Sequence, residues 1–146
     1  MVRLLALMFI PVAVSAQSIG LSAFPSGWQT EGGDWQLGDG VLTVSGGKDS
    51  KAMPRGVVVR DFQLDVQIRI DSPGGEAGVI FRGRKFKSSG DEIEGYYAGI
   101  GAGQNAVRWE AMEPQGREVA SRPVEVESNE WYHLRLQVAG KNISLY

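Results

Sequence analysis

The chain predicts an all-β protein, and three observations carry that prediction. Phe62, Leu64, Val66, Ile68 and Ile70 alternate with Gln63, Asp65, Gln67 and Arg69, and a period of two marks a strand with one buried face. Helix-period segments are absent: short apolar runs are cut by Gly, Pro, Asn, Asp and Ser, the punctuation of an all-β chain. Asp39-Gly40 sits between two apolar runs, a strong hairpin signal because glycine tolerates positive φ.

The elements follow in order. Residues 17–27 are a polar lead-in with Phe24 as a packing anchor. Trp35 to Leu37 and Val41 to Ser45 form a hairpin through Gly38-Asp39-Gly40, residues 46–56 are a polar loop, and Val57 to Val59 begin the next strand. The alternating strand to Ile70 turns at Ser72-Pro73-Gly74-Gly75 and returns as Ala77 to Arg84, since Pro and Gly preset turn geometry. Lys85 to Glu94 is a charged surface loop, of the kind that lines sites. Strands follow at Gly95 to Ile100, Ala106 to Met112, Arg117 to Val126 (broken by Pro123) and Trp131 to Val138. Ile143 to Tyr146 starts one more strand, at which the sequence stops, so we expect a chain truncated at its C-terminus with later strands missing. An edge left open in that way is an aggregation hazard.

A length of 146 residues suits one domain. The net charge of −2 and the lack of any basic run exclude a nucleic-acid partner. Met1-Val2-Arg3, the apolar Leu4 to Val14 and the small residues to Ala16 have the layout of a secretory signal peptide. Cleavage after Ala16 leaves a domain over 17–146 and no membrane span, because the apolar stretch is too short for one. It also removes Arg3 and leaves a charge of −3, which gives no attraction to anionic membranes. The expected location is secreted or periplasmic. A secreted chain without cysteine reads as bacterial, and core packing alone must hold it.

The chemistry is narrowed mostly by exclusion. There is no Gly-x-Ser-x-Gly elbow and no phosphate loop, and Gly101 to Asn105 is a turn rather than a dinucleotide cradle. With no Cys and one His, His133, a zinc site of the usual His/Cys kind is not expected, nor is any cofactor. Calcium near Asp49 or Asp91 lacks a ligand pattern. Glu92 with Glu94, and Glu125 with Glu127, have the i, i+2 spacing of a carboxylate pair on one strand face, but solvated charge is the default for them. The aromatics say more. Trp28, Trp35, Trp109, Trp131, Tyr96, Tyr97, Tyr132 and Tyr146 are spread through the β segments. Aromatic rings stack on the apolar faces of sugars while Arg and carboxylates bond their hydroxyls. Trp35 and Trp131 start strands beside apolar residues and are expected in the core. One of Tyr96 and Tyr97 must face away from it, because adjacent strand residues point to opposite faces. If Val79 and Phe81 pack inward, Ile80, Arg82 and Arg84 share the other face. Likewise Leu134, Leu136 and Val138 leave His133, Arg135 and Gln137 opposite.

Five segments, G-W-Q-T-E-G-G-D-W-Q-L-G-D-G-V-L (27–42), D-F-Q-L-D-V-Q-I-R-I (61–70), A-G-V-I-F-R (77–82), G-Y-Y-A-G-I (95–100) and E-W-Y-H-L-R-L-Q-V-A-G-K-N-I-S-L-Y (130–146), occur in an order that resembles the 3-keto-disaccharide hydrolase domain family of bacterial secreted proteins. The resemblance implies a concanavalin A-like, laminin-G-like jelly-roll sandwich of two antiparallel sheets with the ligand on the concave sheet. It puts Arg82, and Tyr96 or Tyr97, at that face. Where hydrolase-like members have Gln or Glu, G-Y-Y-A-G-I does not, which turns the expectation toward a binding module. We therefore expect a carbohydrate or glycoside partner. Tyr96 or Tyr97 and Trp109 would stack on it, and Arg82, Arg84 and Glu110 would bond its hydroxyls. One alternative is an enzyme that cleaves 3-keto-glycosides, with His133 or a carboxylate as base beside the ketone. Another is a protein-interaction module without sugar chemistry.

Overall fold

The structure, a computed structural model, describes residues 2–9, 20–47, 49–84, 94–112 and 117–146. Of the expected loop Lys85 to Glu94, residues 85–93 lie outside them, as do residues 113–116 and the cleavage site at Ala16, while Glu94 opens a strand instead. The described residues form twelve strands and one short 3-10 turn, Leu21–Ala23, so the all-β expectation holds. None of them belongs to a helix long and apolar enough to cross a membrane. The chain divides into two compact units, Met1–Ile68 with Trp131–Tyr146, and Arg69–Glu130.

The first unit is built on a six-stranded sheet. Its strands are β1 (Val2–Phe9), β3 (Asp34–Gly38), β4 (Val41–Ser45), β6 (Phe62–Ile70, whose last two residues fall in the second unit), β11 (Trp131–Ala139) and β12 (Asn142–Leu145), in the order β12-β11-β6-β1-β4-β3. Gly38 pairs with Val41, leaving a two-residue turn in which Asp39 and Gly40 have φ of 51° and 74°. Two positive φ values give a type I′ turn, whose twist matches that of the strands. Leu64, Val66 and Ile68 are buried along β6, and Leu134, Leu136 and Val138 along β11. Each such side chain contributes about 2–3 kcal/mol by leaving water. Leu21, Trp28 and Leu42 form a further cluster, with Phe24, Trp35 and Leu37 packed against it.

Three readings of this unit change. Residues 51–54 were expected in a loop but form β5 (Lys51–Pro54), which pairs with β2 (Trp28–Glu31) in a two-stranded sheet. Val57 to Val59 do not start a strand, and Val58 is 87 % exposed. Trp131 is exposed rather than core, because the row that alternates inward on β11 begins at Leu134. The leader-like residues Val2–Phe9 pair antiparallel with β4, Val2 opposite Val44 and Leu5 opposite Val41.

The second unit is a four-stranded antiparallel sheet: β7 (Glu76–Arg84), β8 (Glu94–Gly101), β9 (Ala106–Met112) and β10 (Arg117–Pro123), in the order β10-β9-β8-β7. Ile70, Val79, Phe81, Ala98, Ile100, Ala111 and Val126 are buried in it. Asn105 steadies the chain after β10. Its carbonyl accepts from the Val124 amide at 2.9 Å and its side-chain oxygen from the Val126 amide at 3.1 Å.

Candidate functional site: the glycine-floored face of the four-stranded sheet

Cross-strand register decides which residues of the second unit share a face, because directly paired residues point the same way. One set of rows runs Ala77–Ile100–Val107, Val79–Ala98–Trp109 and Phe81–Tyr96–Ala111. It is apolar throughout apart from the polar tips of its Tyr and Trp. The other runs Glu76–Gly101–Ala106, Gly78–Gly99–Arg108 and Ile80–Tyr97–Glu110, which gathers three charges and a phenol over three glycines.

The glycines shape this second face. A Cβ on Gly99 would meet the Tyr97 hydroxyl at 2.1 Å and ring carbon Cζ at 2.5 Å, and one on Gly78 would meet Tyr97 Cε2 at 2.8 Å. The Tyr97 ring therefore lies down along the sheet, over ground that any side chain would occupy. Beside it, Arg108 Nη2 donates to both oxygens of Glu76, at 2.9 and 3.0 Å, and stands 2.8 Å from Glu110 Oε1. One guanidinium is thus held between two carboxylates, which fixes all three side chains and leaves the trio net negative.

Two polar atoms on this face are buried and have no hydrogen-bond partner among the described residues: the Tyr97 hydroxyl and Arg108 Nε. Burial pushes the Tyr97 phenol well up, and the nearby Glu76 carboxylate pushes it further. Glu76 is close enough to act on the phenol electrostatically but lies outside good hydrogen-bond geometry. Tyr97 therefore remains a neutral phenol, able to donate.

The structure separates residues that the sequence grouped together. Tyr97 and Glu110 share the glycine-floored face. Tyr96 and Trp109 are on the apolar one, where Tyr96 stacks on Phe81 (centroids 5.6 Å apart, planes at 24°) and meets Trp109 edge-on at 6.1 Å. The pairing of Trp109 with Glu110 at one ligand fails for the reason that adjacent strand residues diverge. Arg82 and Arg84 lie at the exposed end of β7, beyond a break in register after Phe81. Arg82 has φ 51°, a left-handed conformation that lets a bulge re-aim a strand end. Among the described residues no group of three His, Asp or Glu could hold a metal ion, and Asp91 is outside them.

His133 belongs to the first unit. It lies on the outer row of β11 with Arg135 and Gln137, as the alternation predicts. Its Nε2 is 2.9 Å from Asp65 Oδ1. The same Asp65 oxygen accepts from Arg135 Nε at 2.7 Å, while Oδ2 accepts from Gln63 Nε2 at 2.8 Å. Burial alone would raise the Asp65 carboxyl, but the bonds from Gln63 and Arg135 and the charges of Arg135 and His133 outweigh it and hold the group below its usual range.

Sequence reasoning missed Glu76 and Arg108 as site residues. Arg108 and Glu110 are two apart in A-V-R-W-E-A-M, and that spacing puts them on one strand face. The partnership with Glu76 depends on register across three strands, for which no local signal exists.

Residues 22–146 match the family described as 3-keto-alpha-glucoside-1,2-lyase-like domain. Among curated protein sequences none matches the chain. Of solved structures, the carbohydrate binding module CBM66 from Bacillus subtilis is similar with a TM-score of 0.68 and 24% identity, over 82% of this chain and 73% of that one. A likeness of that size shows the fold, the jelly roll that the sequence led us to expect.

Proposed function

The chain belongs to the 3-keto-alpha-glucoside-1,2-lyase-like domain family, and from that premise we propose that it is a carbohydrate-recognising domain whose ligand lies on the glycine-floored face of β7, β8 and β9. The observation that carries the reading is the Tyr97 ring laid over Gly78 and Gly99, with the Glu76–Arg108–Glu110 clamp beside it. A ring lying along a sheet offers an apolar surface to a pyranose. Carboxylates and a guanidinium held in fixed positions are the donors and acceptors that vicinal hydroxyls need. The net negative clamp favours a neutral sugar over an anionic one. The carbohydrate binding module named above supports the same ligand class on the same fold. The leader layout of residues 1–16 supports a secreted or periplasmic location, where such ligands are met, and cleavage of that leader would take β1 out of the sheet.

A second reading, an enzyme acting on 3-keto-glycosides, is favoured by the family description. One experiment addresses both. The protein and its Arg108→Ala and Tyr97→Ala variants are titrated calorimetrically with neutral glycans and with 3-keto-glycosides, and product formation is followed in parallel. The binding reading expects saturable binding that either substitution weakens about tenfold or more, which is ~1.4 kcal/mol. Turnover of the keto sugars replaces the binding-only reading with the enzyme. Absence of both binding and turnover overturns both and leaves a protein-interaction module.

A further inference from the structure

The turn that joins β8 to β9, Gly101-Ala102-Gly103-Gln104-Asn105, closes one end of the glycine-floored face and is held from both sides. On one side the Ala102 amide donates to Gly75 O at 2.9 Å, and the Gly75 amide donates to Ser72 O at 3.0 Å. Gly103 lies so near the same segment that a Cβ on it would meet Gly74 Cα at 3.2 Å. On the other side Asn105, with φ of 47°, accepts from the Val124 and Val126 amides. Gln104 is therefore carried between two anchored neighbours. It is itself exposed, and its side chain makes no hydrogen bond among the described residues.

That side chain folds back onto the floor of the face. A Cβ on Gly101 would meet Gln104 Oε1 at 2.1 Å, Cδ at 3.2 Å and Cβ at 3.8 Å. The amide oxygen thus covers the glycine, and the amide nitrogen, which is not among these nearest atoms, stands off the floor. A glycine inside a strand marks a place where another group comes close, and here that group is Gln104. Gly101 pairs directly with Glu76, and the Cβ positions of such a pair are about 5 Å apart. Along β8 the Tyr97 ring covers Gly99 in the same manner, about 7 Å away. The glycine track of β8 is paved by a ring and then by an amide, with the Glu76–Arg108–Glu110 clamp beside them.

We propose that Gln104 is a contact residue of the sugar site, whose amide nitrogen donates to a ligand hydroxyl at the Glu76 end of the face. The inference rests on the reading of this face as a sugar site and adds one specific contact to it. Arg108 Nη2 is already committed to Glu76 and Glu110, whereas the Gln104 amide is committed to nothing in the protein. It also supplies a donor without adding charge, which suits a neutral ligand. A hydroxyl both donates and accepts, so one hydroxyl set between the two side chains can accept from Gln104 and donate to Glu76, whose side chain is 31% exposed. The anchored turn lowers the cost of ordering the contact, because its backbone is fixed before the ligand arrives.

The test is an NMR titration of the full chain with methyl glucoside, methyl galactoside and methyl mannoside, following the side-chain NH2 signals of Gln104 and the backbone amide of Tyr97. With the glycoside that binds most tightly, both should shift and saturate at one affinity. Gln104→Ala and Gln104→Glu should each weaken that binding about threefold to tenfold, with the denaturant midpoint unchanged, because the side chain bonds to nothing in the protein. Gly101→Ala is an independent variant. Its methyl group meets the movable end of Gln104 first, so the chain should fold, the Gln104 NH2 signals should move in the free protein, and affinity should fall by a similar factor. Combining it with Gln104→Ala should add no further loss. A Tyr97 amide that shifts while the Gln104 signals stay, or full affinity in both Gln104 variants, overturns this inference and leaves the sugar site standing. If no glycoside moves either signal, the reading of the face as a sugar site falls and the inference falls with it.

Discussion

Tyr97 is the residue on which the account turns, and its hydroxyl separates stability from recognition. That oxygen is buried without a hydrogen bond, so removing it deletes no protein bond and relieves a desolvated group. Tyr97→Phe should therefore leave stability within about 0.5 kcal/mol of wild type, or raise it. Glycan affinity should be retained, because the buried hydroxyl is out of a ligand's reach while the ring that stacks on the sugar stays. Denaturant unfolding and calorimetric titration of the one variant check both halves. Asp65 makes the opposite kind of prediction. Its folded-state pKa lies below the ordinary 3.8, so the unfolded chain binds the proton more readily through that window and stability rises with pH there. The contribution is complete above the ordinary value and is lost as pH falls through the folded value. Asp65→Asn should lower the melting temperature at neutral pH and flatten its acid-side dependence. Thermal melts from neutral pH down to about pH 2 read this directly.

At the scale of the element, the four-stranded sheet depends on glycine where strands normally avoid it. A Cβ at Gly99 would meet Ala77 O at 2.5 Å as well as the Tyr97 ring, and one at Gly78 would meet Ala98 O at 2.3 Å. Carbonyl oxygens of a paired strand cannot step aside as a flexible side chain can. Gly99→Ala should cost about 1–3 kcal/mol and should lift the Tyr97 ring off the sheet, seen as lost protection of the β8 amides in hydrogen exchange. The elements also differ in how far sequence alone could resolve them. β6 was legible because one face is buried along its length, and a one-residue slip would move every side chain to the wrong side. β5 was not, because Lys51–Pro54 has no alternation and is a strand only through its pairing with Trp28–Glu31. Its proline at the end is a position that strands tolerate at edges. The choice between Tyr96 and Tyr97 needed the register of β8 against β7, information that neither strand contains by itself.

For the whole molecule, the family match over 22–146 and the jelly-roll likeness fix the fold, and the site is what the fold's individual side chains make of it. Two faces, one in each unit, carry anchored charge of different character. The Tyr97 face is net negative and suited to neutral hydroxyl-rich ligands. The Asp65–Arg135 face holds its carboxylate against Arg135, His133 and Gln63. Such a division was partly visible in the sequence, where alternation put His133, Arg135 and Gln137 on one row. It was hidden for Glu76 and Arg108, whose pairing spans 32 positions of chain. The most direct test of the central claim is amide chemical-shift mapping of the protein with the neutral glycan that binds it most tightly. The largest shifts are expected at Gly78, Tyr97, Gly99, Arg108 and Glu110, saturating with a single affinity. Shifts that leave those amides unmoved while others respond would contradict it.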